Sequence, residues 1–225
     1  MFSFLQLLTA LSAALLVSAV PAPSEKCCDT SAAVMNLPSN QTALVSPTTA
    51  PLYVALGVGV QNYSCSSTTL KYTSIGAVAS LFDISCIDKT PAFANIQTTA
   101  FKLWDSVPAS VTASLIGSKV AAPNLLGYHY FVVGPTGALV PKWDFTSTGK
   151  NAGNSSAYVI GAKVGDIASP TTPATNIDWL ALNNASGSLA SKIFRIDTVN
   201  GQPPTSCVAG SANISVKYTA KYYLY

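Results

Sequence analysis

The C-terminal run ISVKYTAKYYLY keeps a strict period of two. Ile214, Val216, Tyr218, Ala220, Tyr222 and Leu224 alternate with Ser215, Lys217, Thr219, Lys221, Tyr223 and Tyr225. Successive side chains of a strand point to opposite faces, so the first set is expected to pack inward and the second to meet solvent. Seven further runs carry the same β-branched and aromatic residues: PLYVALGVGVQNYSC, KYTSIGAVASLFDIS, GYHYFVV, ALVPKWDF, AYVIGAKV, IDWLAL and KIFRIDTV. Turn residues separate them, which predicts an all-β single domain, either a sandwich or a barrel. Strand order is not visible in a sequence, so the choice between the two stays open.

One segment departs from this pattern. Between Thr90 and Gly117, Thr90 and Pro91 form an N-cap and N1 pair, and Phe93, Ile96, Ala100, Phe101 and Trp104 recur at helical spacing. One or two short helices are expected there, the second from Pro108 to Gly117.

Residues Phe2 to Val20 form an apolar run that ends in small residues and then enters VPAPS. This is the pattern of a secretory signal peptide, with cleavage expected after Ala19 or, as second choice, after Ala22. The expected organisation is a signal peptide over 1–19, an extended Ser/Thr/Pro-rich arm over 20–50 and a β-rich domain over 51–225. No membrane association is expected after cleavage.

An oxidising destination changes how the five cysteines are read. Cys27, Cys28, Cys65, Cys86 and Cys207 then suggest two disulfides and one thiol left over, in a pairing the sequence leaves open. There is no C-x-x-C and only one histidine, so no metal site is expected. Sequons at Asn40, Asn62, Asn154, Asn184 and Asn213 mark expected N-glycosylation sites, with Asn62 the least exposed because it lies within a strand pattern.

Only 9% of residues are charged, against roughly 25% in a typical soluble domain, so amides, hydroxyls and glycans must carry solubility. Lysines are scattered singly and Arg195 is the only arginine. Without clustered cations to displace counterions, nucleic-acid binding is excluded.

The ordered motifs LGVGVQNYSC from Leu56 to Cys65, GAVASLFDISC, GYHYFVV, PKWDF, IDWLAL, FRIDTVNGQPPTSC and VKYTAKYYLY resemble a fungal secreted family. It is catalogued as domain of unknown function thirty-four fifty-five. The resemblance runs from about Cys28 to Tyr225 and implies extracellular placement and a compact domain, with no established activity or cofactor. It also implies that Cys65 pairs with Cys207 and Cys86 with Cys28, leaving Cys27 over.

Gly57-Val58-Gly59 opens like a dinucleotide fingerprint, but Asn62 stands where the third glycine belongs and the run continues as a strand. No helix N-terminus follows to hold a pyrophosphate, so neither a Rossmann dehydrogenase nor a cofactor is expected. Among acid–base groups, a hairpin around Gly134-Pro135-Thr136-Gly137 would set Val133 opposite Ala138 and His129 opposite Lys142. Asp144 would then lie diagonally from His129, roughly 7 to 8 Å away on one face. Such a pair could serve a secreted hydrolase, although Phe131, Val133 and Val140 make the setting apolar and favour a structural histidine. Asp83, Asp144, Asp178 and Asp197 are the carboxylates available to a glycosidase, and each also suits a turn cap. Trp143, Trp179, Tyr223 and Tyr225 are candidates for stacking on sugar rings. The expected function is a non-enzymatic module that associates with cell-wall polysaccharide or another extracellular glycan, with the His129 and Asp144 hydrolase as the alternative.

Overall fold

A computed structural model describes residues 28–119 and 124–225. The expected signal peptide, both cleavage positions and Cys27 lie outside the described residues. All eight β-rich runs form strands: β1 Tyr53–Cys65, β2 Tyr72–Asp83, β3 Leu125–Val133, β4 Leu139–Asp144, β5 Tyr158–Ile167, β6 Trp179–Gly187, β7 Lys192–Asn200 and β8 Ile214–Leu224. Each pairs antiparallel with its chain neighbour, and β8 returns to β1, so the sheet is a closed barrel. Closure removes the unpaired edges that an open sheet must protect.

Alternation along the strands divides the core in two. Ala55, Leu81, Trp143, Val159, Ile193, Tyr222 and Leu224 belong to the cluster that fills the barrel. Val54, Leu56, Val58, Phe194, Ile196 and Tyr223 point outward into a second cluster with Phe93 and Trp104, and with Ala33, Met35 and Leu44 of the N-terminal arm. The outer face of β8 therefore does not meet solvent as its polar residues suggest. Thr219, Lys221, Tyr223 and Tyr225 are all buried there. What covers them is the helical segment, which forms α1 Pro91–Ser106 and α2 Ala113–Lys119.

Polar groups fix α1 in place. Trp104 Nε1 donates to the Gly59 carbonyl at 2.7 Å, and Thr219 Oγ1 donates to Gln97 O at 2.7 Å. Lys217 Nζ reaches the carbonyls of Trp104 and Val107, at 2.9 and 2.7 Å, and so closes the C-terminus of α1. Lys221, only 2% exposed, meets Asp197 Oδ2 at 3.0 Å and lies over the Phe93 ring at 4.4 Å. Asp197 reaches it from a bulge in β7, where its φ is 50°, a conformation that Asp and Asn adopt more readily than other side chains.

Two disulfides close the structure, Cys28–Cys86 and Cys65–Cys207, the pairing that the family resemblance implies. The first ties the arm to the turn after β2. The second joins the end of β1 to the loop before β8, spanning 142 residues of sequence.

Glycines set the interior spacing. A side-chain carbon at Gly57 would come within 2.5 Å of the Tyr222 ring, and one at Gly59 within 2.1 Å of the Val78 carbonyl oxygen. Strand packing at close quarters thus accounts for the glycine pair that opens like a nucleotide fingerprint.

The β3–β4 hairpin corrects one expected register. Gly134 N–H bonds to Ala138 O at 2.8 Å and Gly137 N–H to Gly134 O at 3.0 Å, so Ala138 belongs to the loop and Val133 faces Leu139. One extra loop residue shifts every pair: His129 faces Trp143, Tyr130 faces Lys142 and Tyr128 faces Asp144.

Replacing Asp197 by Asn keeps the side chain that tolerates this φ but leaves Lys221 buried without its counter-charge. Asp197→Asn is expected to lose about 3 kcal/mol of unfolding free energy in urea denaturation. A loss within experimental error would show that Lys221 finds other solvation.

Candidate functional site

The corrected register separates the two residues of the hydrolase reading. His129 points into the barrel while Asp144 points outward, so they form no pair. Asp144 Oδ2 instead meets Lys142 Nζ at 2.8 Å and accepts from Tyr130 OH, and its Oδ1 accepts from Thr146 Oγ1 at 2.6 Å. Burial pushes the Asp144 carboxyl up, but the bonds from Lys142, Thr146 and Tyr130 outweigh it and hold the group below the ordinary carboxylate range. Every acceptor that a general base would need is already engaged in a structural network.

His129 is 2% exposed and stacks on Trp143, with ring centroids 4.5 Å apart, beside Tyr222 at 5.7 Å. Its Nδ1 lies 3.0 Å from the Lys142 carbonyl, which can only accept, so Nδ1 carries the proton and Nε2 is the free acceptor of a neutral ring. Burial lowers its pKa to about 3, against the opposing pull of the Lys142 carbonyl.

Tyr222 is the hub of a polar interior. Its hydroxyl lies 2.8 Å from that of Tyr218, and Arg195 bonds to it from β7, where it is the direct cross-strand partner. Arg195 also donates from Nε and Nη2 to the Asp178 carbonyl, at 3.2 and 2.9 Å. Gln61 reaches Tyr218 from β1. Tyr63, whose hydroxyl donates to Gly201 O at 2.7 Å, is pushed up to about 12 by burial. The chain's one arginine and one histidine therefore share the inside of the barrel.

A second polar place lies at the barrel end where β1 begins and β6 ends. A cavity of about 330 Å³ opens there among Tyr53, Lys150, Asn151, Asn154, Ser156 and Ser188. Asn151 Nδ2 donates to Tyr53 OH at 3.1 Å, and Lys150 Nζ lies 4.7 Å from the centre of the Tyr53 ring. These residues combine an aromatic ring with amide, hydroxyl and ammonium groups.

The four aromatics expected to stack on sugars do not form an open platform. Trp143 lies inside the barrel, and Trp179, Tyr223 and Tyr225 are buried in the outer cluster. The helices and the arm cover the strand faces that alternation alone leaves exposed. Of the glycosidase carboxylates, Asp197 holds Lys221, Asp144 holds Lys142 and Asp83 Oδ1 accepts from the Ser85 N–H at 2.9 Å. Asp178 Oδ1 meets Gln202 Nε2 at 3.5 Å.

The sequons divide by geometry. Asn40, Asn154 and Asn213 are exposed. Asn62 is half-buried, with Oδ1 accepting from Ser215 Oγ at 2.7 Å. Asn184 is also half-buried and spends both amide hydrogens on backbone carbonyls, Gly187 O at 2.9 Å and Ala190 O at 2.7 Å.

The comparison with known families meets this geometry at a single point. Residues 46–225 match a family model described as Protein of unknown function (DUF3455). The chain belongs to that family. The match spans all eight barrel strands and both helices, so family membership and barrel coincide along the chain. No curated protein and no solved structure matches it.

Tyr53, Lys150 and Ser188 carry no sequence motif, and only the meeting of β1 with two loops reveals them. Arg195 was conspicuous as the lone arginine, but its inward direction depends on the pairing of β7 with β8.

Two outcomes are expected. His129 has a folded pKa below its unfolded value of 6.5, so the unfolded chain takes up the proton first. Its contribution to stability is present above pH 6.5 and drains as pH falls toward 3. Melting temperature should therefore fall between about pH 6.5 and pH 4.5, above the usual carboxylate range, and His129→Phe should flatten that slope; an unchanged slope counts against a buried neutral ring. Peptide mapping of the folded glycoprotein should find no sugar on Asn184, because a glycan would take one of its two bonded hydrogens; stoichiometric sugar there would contradict the bonding.

Proposed function

We propose that this protein is a secreted, non-enzymatic module that associates with cell-wall polysaccharide or another extracellular glycan, using the cavity beside Tyr53. The observation that carries the proposal is the set of groups around that cavity. Amide and hydroxyl groups from Asn151, Asn154, Ser156 and Ser188 surround an aromatic ring, the combination that hydrogen-bonds sugar hydroxyls and packs on their C–H faces.

Other features support it. The two disulfides suit an oxidising compartment, and among the described residues no helix is long and apolar enough to cross a membrane. The exposed sequons at Asn40, Asn154 and Asn213 suit glycosylated extracellular protein. Low charge suits a polar, uncharged ligand, which gains little from ionic steering.

The test is retention on purified wall polysaccharides together with a glycan array, using the mature secreted protein. Ser188→Trp places a large ring in the cavity from an exposed position. It is expected to cut retention at least tenfold with the melting temperature unchanged. Retention on no polysaccharide, or equal retention by Ser188→Trp, would sink the proposal.

A further inference from the structure

The interior cluster holds more hydrogen-bond donors than acceptors. Gln61 is 5% exposed and Trp143 is 2% exposed, yet Gln61 Nε2 and Trp143 Nε1 have no partner. Burying a donor without a partner costs about 1–3 kcal/mol, so two in one cluster call for an acceptor. Arg195 adds a third source. Its guanidinium bonds to a backbone carbonyl and a phenol, and among the described residues it forms no salt bridge. A guanidinium has five N–H groups in a planar fork, so those two partners leave donors to spare. Asp178, the carboxylate that feels Arg195, bonds Gln202 from its Oδ1.

These donors lie around one centre. Arg195 reaches Tyr222, Trp143 packs edge-on against Tyr222 at 5.7 Å, and Gln61 reaches Tyr218, whose hydroxyl is bonded to that of Tyr222. The phenols can orient either way, but neither adds a negative charge, since burial raises the pKa of both.

Access comes from the end of the barrel opposite the Tyr53 cavity. Arg195 is only half-buried. Beyond His129 and Trp143, the inner faces of β3 and β4 carry Phe131, Val133, Leu139 and Pro141. Val133 is 72% exposed and Leu139 48% exposed. The pairing of β2 with β3 stops at Ala79 and His129, and that of β4 with β5 at Lys142 and Ile160, so the hairpin tip flares beyond the closed wall. Its apolar inner face forms a lip above the donors.

We infer that the barrel interior is a binding site for a small organic monocarboxylate, with the anionic head held by Arg195, Gln61 and Trp143 and the apolar portion against Phe131, Val133 and Leu139. A carboxylate brings two oxygens and about four acceptor positions, which matches a donor-rich site with one fixed positive charge. His129, neutral with Nε2 as an acceptor, adds no second positive charge, so the site suits a single negative charge.

The experiment follows the three tryptophan indole N–H resonances of the ¹⁵N-labelled mature protein during titration with straight-chain monocarboxylates from acetate to octanoate, and with the matched primary alcohols. Assignment of the Trp143 signal comes from Trp143→Phe. The expected result is a saturable shift of the Trp143 resonance with carboxylates, tightening with chain length, and no saturable shift with the alcohols. Arg195→Gln is expected to weaken binding at least tenfold. Should that variant fail to fold, Gln61→Leu, which removes an unpartnered donor and strains nothing, is expected to weaken binding severalfold at an unchanged melting temperature. Absence of a saturable shift in the wild-type protein, an equal response to the alcohols, or undiminished binding by a folded variant would overturn the inference. None of these results bears on the Tyr53 cavity, which lies at the other end.

Discussion

The pairing of β8 with β1 determines what every other strand can do. Eleven residues of each run side by side, from Tyr53 opposite Leu224 to Tyr63 opposite Ile214, and this contact turns a meander into a ring. Without it, β1 and β8 would be sheet edges and the inner residues of both would face an open trough. With it, Tyr218, Ala220 and Tyr222 become a wall of the barrel core. Gly57 and Gly59 make the contact possible, because side chains there would collide with Tyr222 and with the β2 backbone.

Closure also explains the outer layer. A ring strand has two faces, and the outer face of β1 and β8 is apolar enough to need a cover. The arm, held by Cys28–Cys86, and α1, held by Trp104, Lys217 and Lys221, provide it. The two lysines illustrate how few charges a chain like this needs when each is placed. One caps a helix and the other neutralises a bulged aspartate, with their stems lying along aromatic rings. Polar chemistry then remains in two places, the cavity beside Tyr53 and the interior around Tyr222.

Much of this architecture was legible in the sequence because its causes are local. Period-two alternation marked all eight strands, Thr90-Pro91 marked the start of α1 to the residue, and the family resemblance carried the cysteine pairing. What failed was decided by distant contacts. The His129 and Asp144 pair depended on the parity of one hairpin, and a single additional loop residue reversed it. Trp179, Tyr223 and Tyr225 look like surface aromatics until a helix from elsewhere in the chain lies over them. Arg195 gives no sign of direction until Tyr222 is known to be its neighbour. The Tyr53 cavity assembles from residues that are unremarkable one at a time, in segments about a hundred positions apart.

The closed ring is tested most directly by backbone nuclear Overhauser contacts between β1 and β8 in the mature protein. The structure requires cross-strand contacts in the register Ala55 with Tyr222, Gly57 with Ala220 and Gly59 with Tyr218, together with slow amide exchange along both strands. Missing contacts, with alternate β1 or β8 amides exchanging as fast as those of an exposed edge, would contradict the barrel and the inward placement of Arg195 and His129.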